Sequence, residues 1–256
     1  MSLTVENLSF SYGKRPVLHE LTFTAEAGEL LAILGPNGVG KTTLFKCVMG
    51  QERKYSGRIA ADGADLAALT PREQAHRVAA IPQAHPLSFR YSAFDMVLMG
   101  TSHTLSPFNL PGEKERAAAR AAMERVNIPH LAERPFDHLS GGEQQLVFIA
   151  RALAQQAKIL LMDEPTASLD YGNRLHVLSV ARDLAKDGYT VLLSTHDPQQ
   201  ALWFADRALA LQEGRMLALG APREVLTPVL LEALYGRRIE LVETEQGPVL
   251  VPKEAD

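Results

Sequence analysis

With 256 residues, 46% hydrophobic and 22% charged, the chain has enough apolar material for one α/β domain with a full core and a smaller inserted subdomain. A formal net charge of −4 and the lack of a dense Lys/Arg stripe exclude a nucleic-acid backbone as the main ligand. The single cysteine, Cys47, excludes an intrachain disulfide and a Cys-based metal cluster; it fits a reducing cytosol and reads as a small buried hydrophobe.

The N-terminal stretch MSLTVENLSFSYGK alternates apolar and polar residues without a basic and apolar leader pattern, which predicts a strand, not a signal peptide. Short strands are expected at 3–8 and 17–24, then a continuous apolar strand at 30–34 and a helix from Lys41 that stops at Gly50. A strand near 58–61 follows, with Asp62-Gly63 as its turn. Thr70-Pro71 starts a short, well-capped helix, and a strand at 78–81 runs into PQAHPLSFRYS.

From Ser92 to Asn127 the pattern is helical, and GEKERAAARAAMERVN should turn Arg116, Arg120 and Glu124 outward. Residues 84–138 are expected to form an inserted helical subdomain that continues into a helix at 140–156. That helix should carry Leu146, Ile149, Ala150 and Leu153 on one face. A buried strand at 158–162 then leads to DEP, a helix covers 171–187, and a strand at 189–194 leads to THDP. A helix at 198–204, strands within 207–219 and short C-terminal elements complete the chain. Apolar strands alternating with helices predict a mainly parallel sheet, and the early alternating strands predict an antiparallel β-layer beside it. ELLAIL and KILLM are too short to span a bilayer, so the chain is expected to be soluble and to work at a membrane only through a partner.

GPNGVGKT, starting at Gly35, matches G-x-x-x-x-G-K-[ST] in full between a buried strand and a helix. Gly35, Gly38 and Gly40 let the backbone curl so that successive N–H groups face phosphate oxygens. Pro36, Asn37 and Val39 complete the loop. Lys41 brings charge to β- and γ-phosphates, Thr42 is placed to ligate Mg²⁺, and Thr43 is placed to bond an α-phosphate oxygen. Asp163, ending an apolar strand, suits a Mg²⁺ role, and Glu164 beside it suits orienting and deprotonating water. A second glycine-rich helix start, LSGGE at 139–143, carries an S-x-x-E capping box in Ser140 and Glu143. Gly141 and Gly142 are not needed for that cap and are what close approach to a phosphate requires.

GPNGVGKTT, LSGGE and ILLMDEP, in this order and spacing, resemble the ATP-binding cassette (ABC) ATPases over nearly the whole chain. The resemblance implies a P-loop NTPase domain over 1–256 with a RecA-like core. It also implies ATP and Mg²⁺ as ligands and ATP hydrolysis as the activity. Residue by residue, Tyr12 resembles the aromatic that stacks on adenine, and Gln83 the Q-loop glutamine that senses Mg²⁺ and attacking water. Asp170 resembles the D-loop acid, and His196 the switch histidine at the γ-phosphate. The metal set implied is Thr42, Gln83 and Asp163; the catalytic set is Glu164, His196 and Gln83. Leu139, Ser140, Gly141, Gly142 and Glu143 are implied to close on the γ-phosphate of a second copy in a head-to-tail dimer.

The chain has no fused membrane span, second cassette or long heptad arm, and looks like a stand-alone importer subunit at the cytoplasmic face of a prokaryotic membrane. Its implied partners are integral membrane permease subunits and, indirectly, a substrate-binding protein. The tail from THDPQQ onward, Asp95–Gly100 and HLAERP at 130–135 resemble the ATPases of iron–siderophore, haem and cobalamin importers. Importers of zinc/manganese or molybdate/tungstate share much of these motifs, and a soluble ABC ATPase of iron–sulfur cluster assembly is the rival from another class. Two readings stand for Phe89, Tyr91, Phe94 and Met99: a groove for the permease's coupling helix, or the small subdomain's own core.

Overall fold

The structure is a computed structural model and describes residues 1–82, 91–105 and 109–253. Strands β1 (Leu3–Tyr12) and β2 (Arg15–Ala25) form an antiparallel hairpin longer than the alternation predicts. The extension has a cause: Phe10 pairs with Leu18, and both are buried. Strand β3 (Leu30–Leu34) is buried throughout and leads into helix α1 (Lys41–Val48). Strands β4 (Ser56–Ala61) and β5 (Ala64–Asp65) flank a turn in which Asp62 has φ 46° and Gly63 φ 78°. Positive φ at both central positions is what an Asp-Gly hairpin turn provides. Helix α2 (Pro71–Ala75) starts on a Thr70/Glu73 capping box with Pro71 at its first turn, and β6 (Val78–Ile81) follows.

Helices α3 (Ala93–Leu98) and α4 (Glu113–Arg125) lie within the stretch from Ser92 to Asn127 whose pattern is helical. A 3₁₀ turn over Met99–Thr104 follows α3, and Gly112 caps α4 just after Pro111. Gly100 lies in that 3₁₀ turn, where a Cβ would come 2.1 Å from the Arg151 carbonyl of the helix Gly141–Ala154. Arg116, Arg120 and Glu124 are exposed as the charge pattern predicts. Helix α5 (Gly141–Ala154) corrects the one-faced reading: besides Leu146, Ile149, Ala150 and Leu153 it buries Val147, Phe148, Ala152 and Ala154. It packs against α3 and α4 and also touches β6, so few of its positions remain for water.

The rest of the chain supplies β7 (Ile159–Asp163), α6 (Tyr171–Lys186), β8 (Thr190–Thr195), α7 (Pro198–Phe204), β9 (Arg207–Gln212) and β10 (Arg215–Gly220). Helices α8 (Pro222–Val225) and α9 (Pro228–Tyr235) and the hairpin β11 (Ile239–Thr244)–β12 (Gly247–Pro252) close it. The main sheet runs β10-β9-β3-β8-β7-β6, parallel from β9 to β6 with β10 antiparallel at the edge. A four-stranded antiparallel sheet, β2-β1-β4-β5, lies beside it.

Strand β3 shows how the layers divide. Leu31 and Ile33 join the core with the antiparallel sheet and α1, whereas Ala32 and Leu34 join the core with α7 and α9. A strand covered on both faces must be apolar at every position, which is why it reads as an unbroken run. The parallel register brings Leu34, Asp163 and Thr195 to one edge at the carboxyl ends of β3, β7 and β8. Loops leaving that edge carry the functional residues.

Candidate active site

The loop at 35–43 lies between β3 and α1. Gly35 is demanded by packing, because a Cβ there would lie 2.4 Å from the Leu211 carbonyl of β9. Gly40 is demanded twice, by φ 112° and by Leu18 Cδ2 at 2.8 Å from its would-be Cβ. Gly38 meets nothing within 4 Å, so only its φ of 85° calls for glycine. Helix α1 starts on Gly40 without a side-chain cap, which leaves its N-terminal pole to a ligand. Lys41 is buried; its Nζ donates to Gly35 O at 2.7 Å and Pro36 O at 3.0 Å. Thr42 is exposed and Thr43 buried.

A cleft of about 1070 Å³ opens over this loop, lined among others by Tyr12, Lys41, Thr42, Thr43, Asp163 and Glu164. Tyr12 stands edge-on to Phe10 at 4.8 Å between centroids and stays 43% exposed, so its ring is fixed yet open to a flat ligand. The cleft has the size and the polar and aromatic lining for a nucleotide. The hydroxyl of Thr42 and the carboxylate of Asp163, both hard oxygens on this cleft, are the ligand type Mg²⁺ takes.

The two acids at the end of β7 diverge, and the structure shows how. Asp163 accepts from Ser194 Oγ at 2.7 Å, and the same Ser194 oxygen accepts the Glu164 backbone N–H at 2.9 Å. Glu164 has φ 45°, the left-handed region that a non-glycine residue rarely takes. This turn aims its carboxylate the other way: one oxygen lies 3.2 Å from Lys41 Nζ and the other 3.3 Å from His196 Nδ1. With the proton on Nδ1 the imidazole donates to Glu164, leaving Nε2 available. Strain at φ of this kind persists only where surrounding contacts enforce it; here Ser194 holds the Glu164 N–H, the Ala167 N–H donates to the Glu164 carbonyl, and Lys41 and His196 hold its carboxylate.

The second glycine-rich start is built differently. Ser140 Oγ accepts the Glu143 N–H at 3.3 Å, and Glu143 Oε2 accepts the Ser140 N–H at 2.7 Å, a complete capping box. The Ser140 backbone N–H holds the Glu143 carboxyl below the usual range, with Arg134 Nη1 at 3.0 Å adding to the effect. Gly142 has a local reason as well: its would-be Cβ would lie 2.5 Å from Asn173 Cγ and 2.9 Å from Asn173 Cβ. Gly141 approaches Leu169 Cδ2 to 3.2 Å by the same measure. Asp170 caps α6 by accepting the Asn173 N–H at 2.9 Å, and it also accepts the Asn173 side-chain amide at 2.6 Å. The two glycines therefore fit the packing of α5 on the start of α6, and phosphate approach is not their sole cause. None of Leu139, Ser140, Gly141, Gly142 or Glu143 lines the Lys41 cleft.

Gln83 and Phe89 lie outside the described residues. Phe94 and Met99 pack against the core shared by α3, α4 and α5, whereas Tyr91 is 40% exposed. Asp95 forms a capping box with Ser92, and HLAERP supplies carbonyls to the same helix start through Ala132 and Arg134. Both stretches thus have structural work at α3. Cys47 is buried, and burial pushes its thiol up to about 12, as a small hydrophobe behind the loop. Sequence reading missed Ser194 and Asn173. The signal for Ser194 was a polar residue at the end of an otherwise apolar strand; Asn173 had none, because its partner Gly142 is 31 residues away.

A family-level sequence profile described as ABC transporter matches residues 18–167, more than half of the chain. An uncharacterized ABC transporter ATP-binding protein of Haemophilus influenzae is 38% identical over 242 residues, covering 94% of this chain and 92% of the relative. The hemin import ATP-binding protein HmuV of Myxococcus xanthus is 38% identical over 262 residues, covering 99% of this chain and 97% of the relative. Among solved structures, one described as an inward-facing conformation of a transporter assigned to the metal-chelate ABC type superposes with TM-score 0.87 at 34% identity. It covers 99% of this chain and 97% of that one.

Proposed function

The chain belongs to the ABC transporter ATP-binding family and is an ATPase with the P-loop ABC ATPase fold, and from that premise we propose that it powers an importer for a metal chelate, of which haem is the foremost candidate. The observation that carries the cargo class is end-to-end similarity to a hemin import ATP-binding protein, at 99% and 97% coverage. Relatives named for hemin import recur from Deinococcus radiodurans to Bordetella pertussis.

In this reading Tyr12 stacks on adenine and the 35–43 loop wraps the phosphates, with Lys41 between them. Thr42, Asp163 and Gln83 would hold Mg²⁺, which when bound would supply positive charge to offset that of the phosphates. Glu164 takes the proton of the water that attacks the γ-phosphorus in line, and His196 steadies the γ-phosphate. Glu164 is well disposed for this because it already bridges Lys41 and His196. A γ-phosphate arriving at Lys41 competes with Glu164 for that ammonium and frees the carboxylate to face water.

The site is completed by a second copy, whose Ser140, Gly141 and Gly142 approach the γ-phosphate head to tail while its Asp170 lies alongside. That these residues stand away from the chain's own cleft supports the need for a partner. Among the described residues no helix is long and apolar enough to cross a membrane. In this reading the chain sits peripherally on the cytoplasmic face, held by permease subunits. Residues 84–138 would form the helical arm that meets them.

The test is to purify the chain with its membrane subunits and measure ATP hydrolysis with haem, a ferric siderophore, cobalamin, zinc or molybdate supplied through the binding protein. Stimulation by haem is expected. Stimulation by zinc or molybdate alone would overturn the chelate reading, and absence of any polytopic membrane partner would overturn the importer reading.

A further inference from the structure

One buried polar side chain next to the loops that carry Glu164 and His196 is not used by the roles above. Gln200, in the first turn of α7, is 7% exposed, and its amide is held on three sides. Its Oε1 accepts from Thr166 Oγ1 at 3.1 Å and from Thr195 Oγ1 at 3.1 Å. Its Nε2 donates to Asp197 Oδ2 at 3.1 Å. Thr166 and Thr195 are 4% and 3% exposed, and Thr195 Oγ1 also accepts the Asp197 N–H at 3.0 Å. Every lone pair of the Gln200 oxygen that can take a hydroxyl has taken one, so its position is fixed by chemistry as well as packing.

The partners are what give this contact meaning. Thr166 stands two residues after Glu164, in the loop leaving β7. Thr195 stands immediately before His196, at the end of β8. The amide therefore ties together the two loops whose side chains, Glu164 and His196, meet at 3.3 Å. Resting on the roles proposed for that pair, we infer that Gln200 is a positioning residue for hydrolysis: its amide sets the spacing between the water-activating carboxylate and the γ-phosphate histidine. Only a side chain with one shared acceptor and one donor can serve two hydroxyls and a carboxylate at once. A hydrocarbon serves none of them, and a carboxylate repels Asp197 while it is ionised.

Three variants read this out. Gln200→Met keeps the volume and removes all three hydrogen bonds; kcat should fall about 10- to 100-fold from misplacement, with the Kd for ATP changing less than about threefold. Thr166→Val, which deletes one hydroxyl and leaves α7 intact, should lower kcat in the same direction and by less. Combined with Gln200→Met it should add little. Gln200→Glu supplies the sharpest signature, because a protonated carboxyl reproduces both the acceptor and the donor of the amide. The introduced group faces Thr166, Thr195 and Asp197, with Arg174 Nη1 at 3.8 Å from the same Asp197 Oδ2 that accepts from Gln200. Its kcat relative to the native chain should therefore rise as pH falls from 8 to 6, whereas a residue that only fills space would show a constant ratio.

Backbone amide exchange supplies a readout independent of turnover. Gln200→Met should speed exchange at 164–168 and 195–197 and leave 36–43 unchanged. Unchanged exchange in both loops together with native kcat in Gln200→Met and Thr166→Val would overturn the positioning role, as would a pH-independent ratio for Gln200→Glu. Glu164→Gln run beside them separates the two ideas: if it keeps native turnover, the water-activating reading falls, while the exchange data still decide whether Gln200 joins the two loops.

Discussion

At 35–43 helix α1 begins on Gly40 with no side-chain cap, whereas at 139–143 helix α5 begins on Ser140 with a complete capping box. The first start keeps a buried lysine beside it, tied to loop carbonyls and to Glu164. The second has a carboxylate at its third position, already engaged by Ser140 and Arg134. An uncapped pole with a cation next to it attracts phosphate by itself; a capped pole carrying Glu143 gains little from an anion of its own chain. The comparison teaches that glycine count does not measure anion affinity. At the first start two glycines serve close approach to Leu211 and Leu18, and at the second they serve close approach to Leu169 and Asn173.

The strongest way to break the contrast is to remove the cation. Lys41→Ala should lower ATP hydrolysis on the order of 10²- to 10³-fold, measured by phosphate release at saturating ATP. Ser140→Ala should leave ATP affinity of the monomer unchanged, whereas Lys41→Ala should weaken it; an equal loss of monomer affinity in both variants would show that the two starts are equivalent within one chain.

Next in size is Gly142→Ala. Its methyl meets an Asn173 side chain that Asp170 holds in place, so a loss of about 1–3 kcal/mol in urea unfolding is expected. Asn173→Gly in the same chain should recover part of it, and an additive result would remove the contact as the cause. Gly38→Ala, where φ is 85° but space is open, should cost about 1–2 kcal/mol by strain alone and gain nothing from any second-site change.

Ser140→Ala should cost about 1 kcal/mol through the lost cap, read as a lower urea midpoint. The smallest effect is in pH. Because Glu143 titrates below its unfolded value in the folded chain, its contribution is present above the unfolded carboxylate pKa and is lost as pH falls through the folded one. The stability gap between native chain and Glu143→Gln should hold at pH 6 and shrink below about pH 4. A gap that widens on acidification would refute the assigned cause.

The pieces that sequence determined are those in which cause and effect lie within a few residues. The run LLAIL dictates a strand covered on both faces, Asp62-Gly63 a turn with two positive φ values, and Thr70/Glu73 and Ser140/Glu143 capping boxes. GPNGVGKT dictates an anion loop because its glycines and lysine are neighbours. The helical pattern from Ser92 to Asn127 does not encode the close approach of Gly100 to the carbonyl of Arg151, which no window of twenty residues contains. Tertiary structure alone decided that Gly142 makes room for Asn173 and that Ser194 holds Asp163 and turns Glu164 toward Lys41 and His196. It alone set Gln200 between Thr166 and Thr195. Each of these joins segments far apart in sequence, and Ser194 meets Asp163 because β7 and β8 pair in parallel. Periodicity and capping report the forces along the chain, whereas the crossing of one segment over another is set by packing that a linear pattern does not encode.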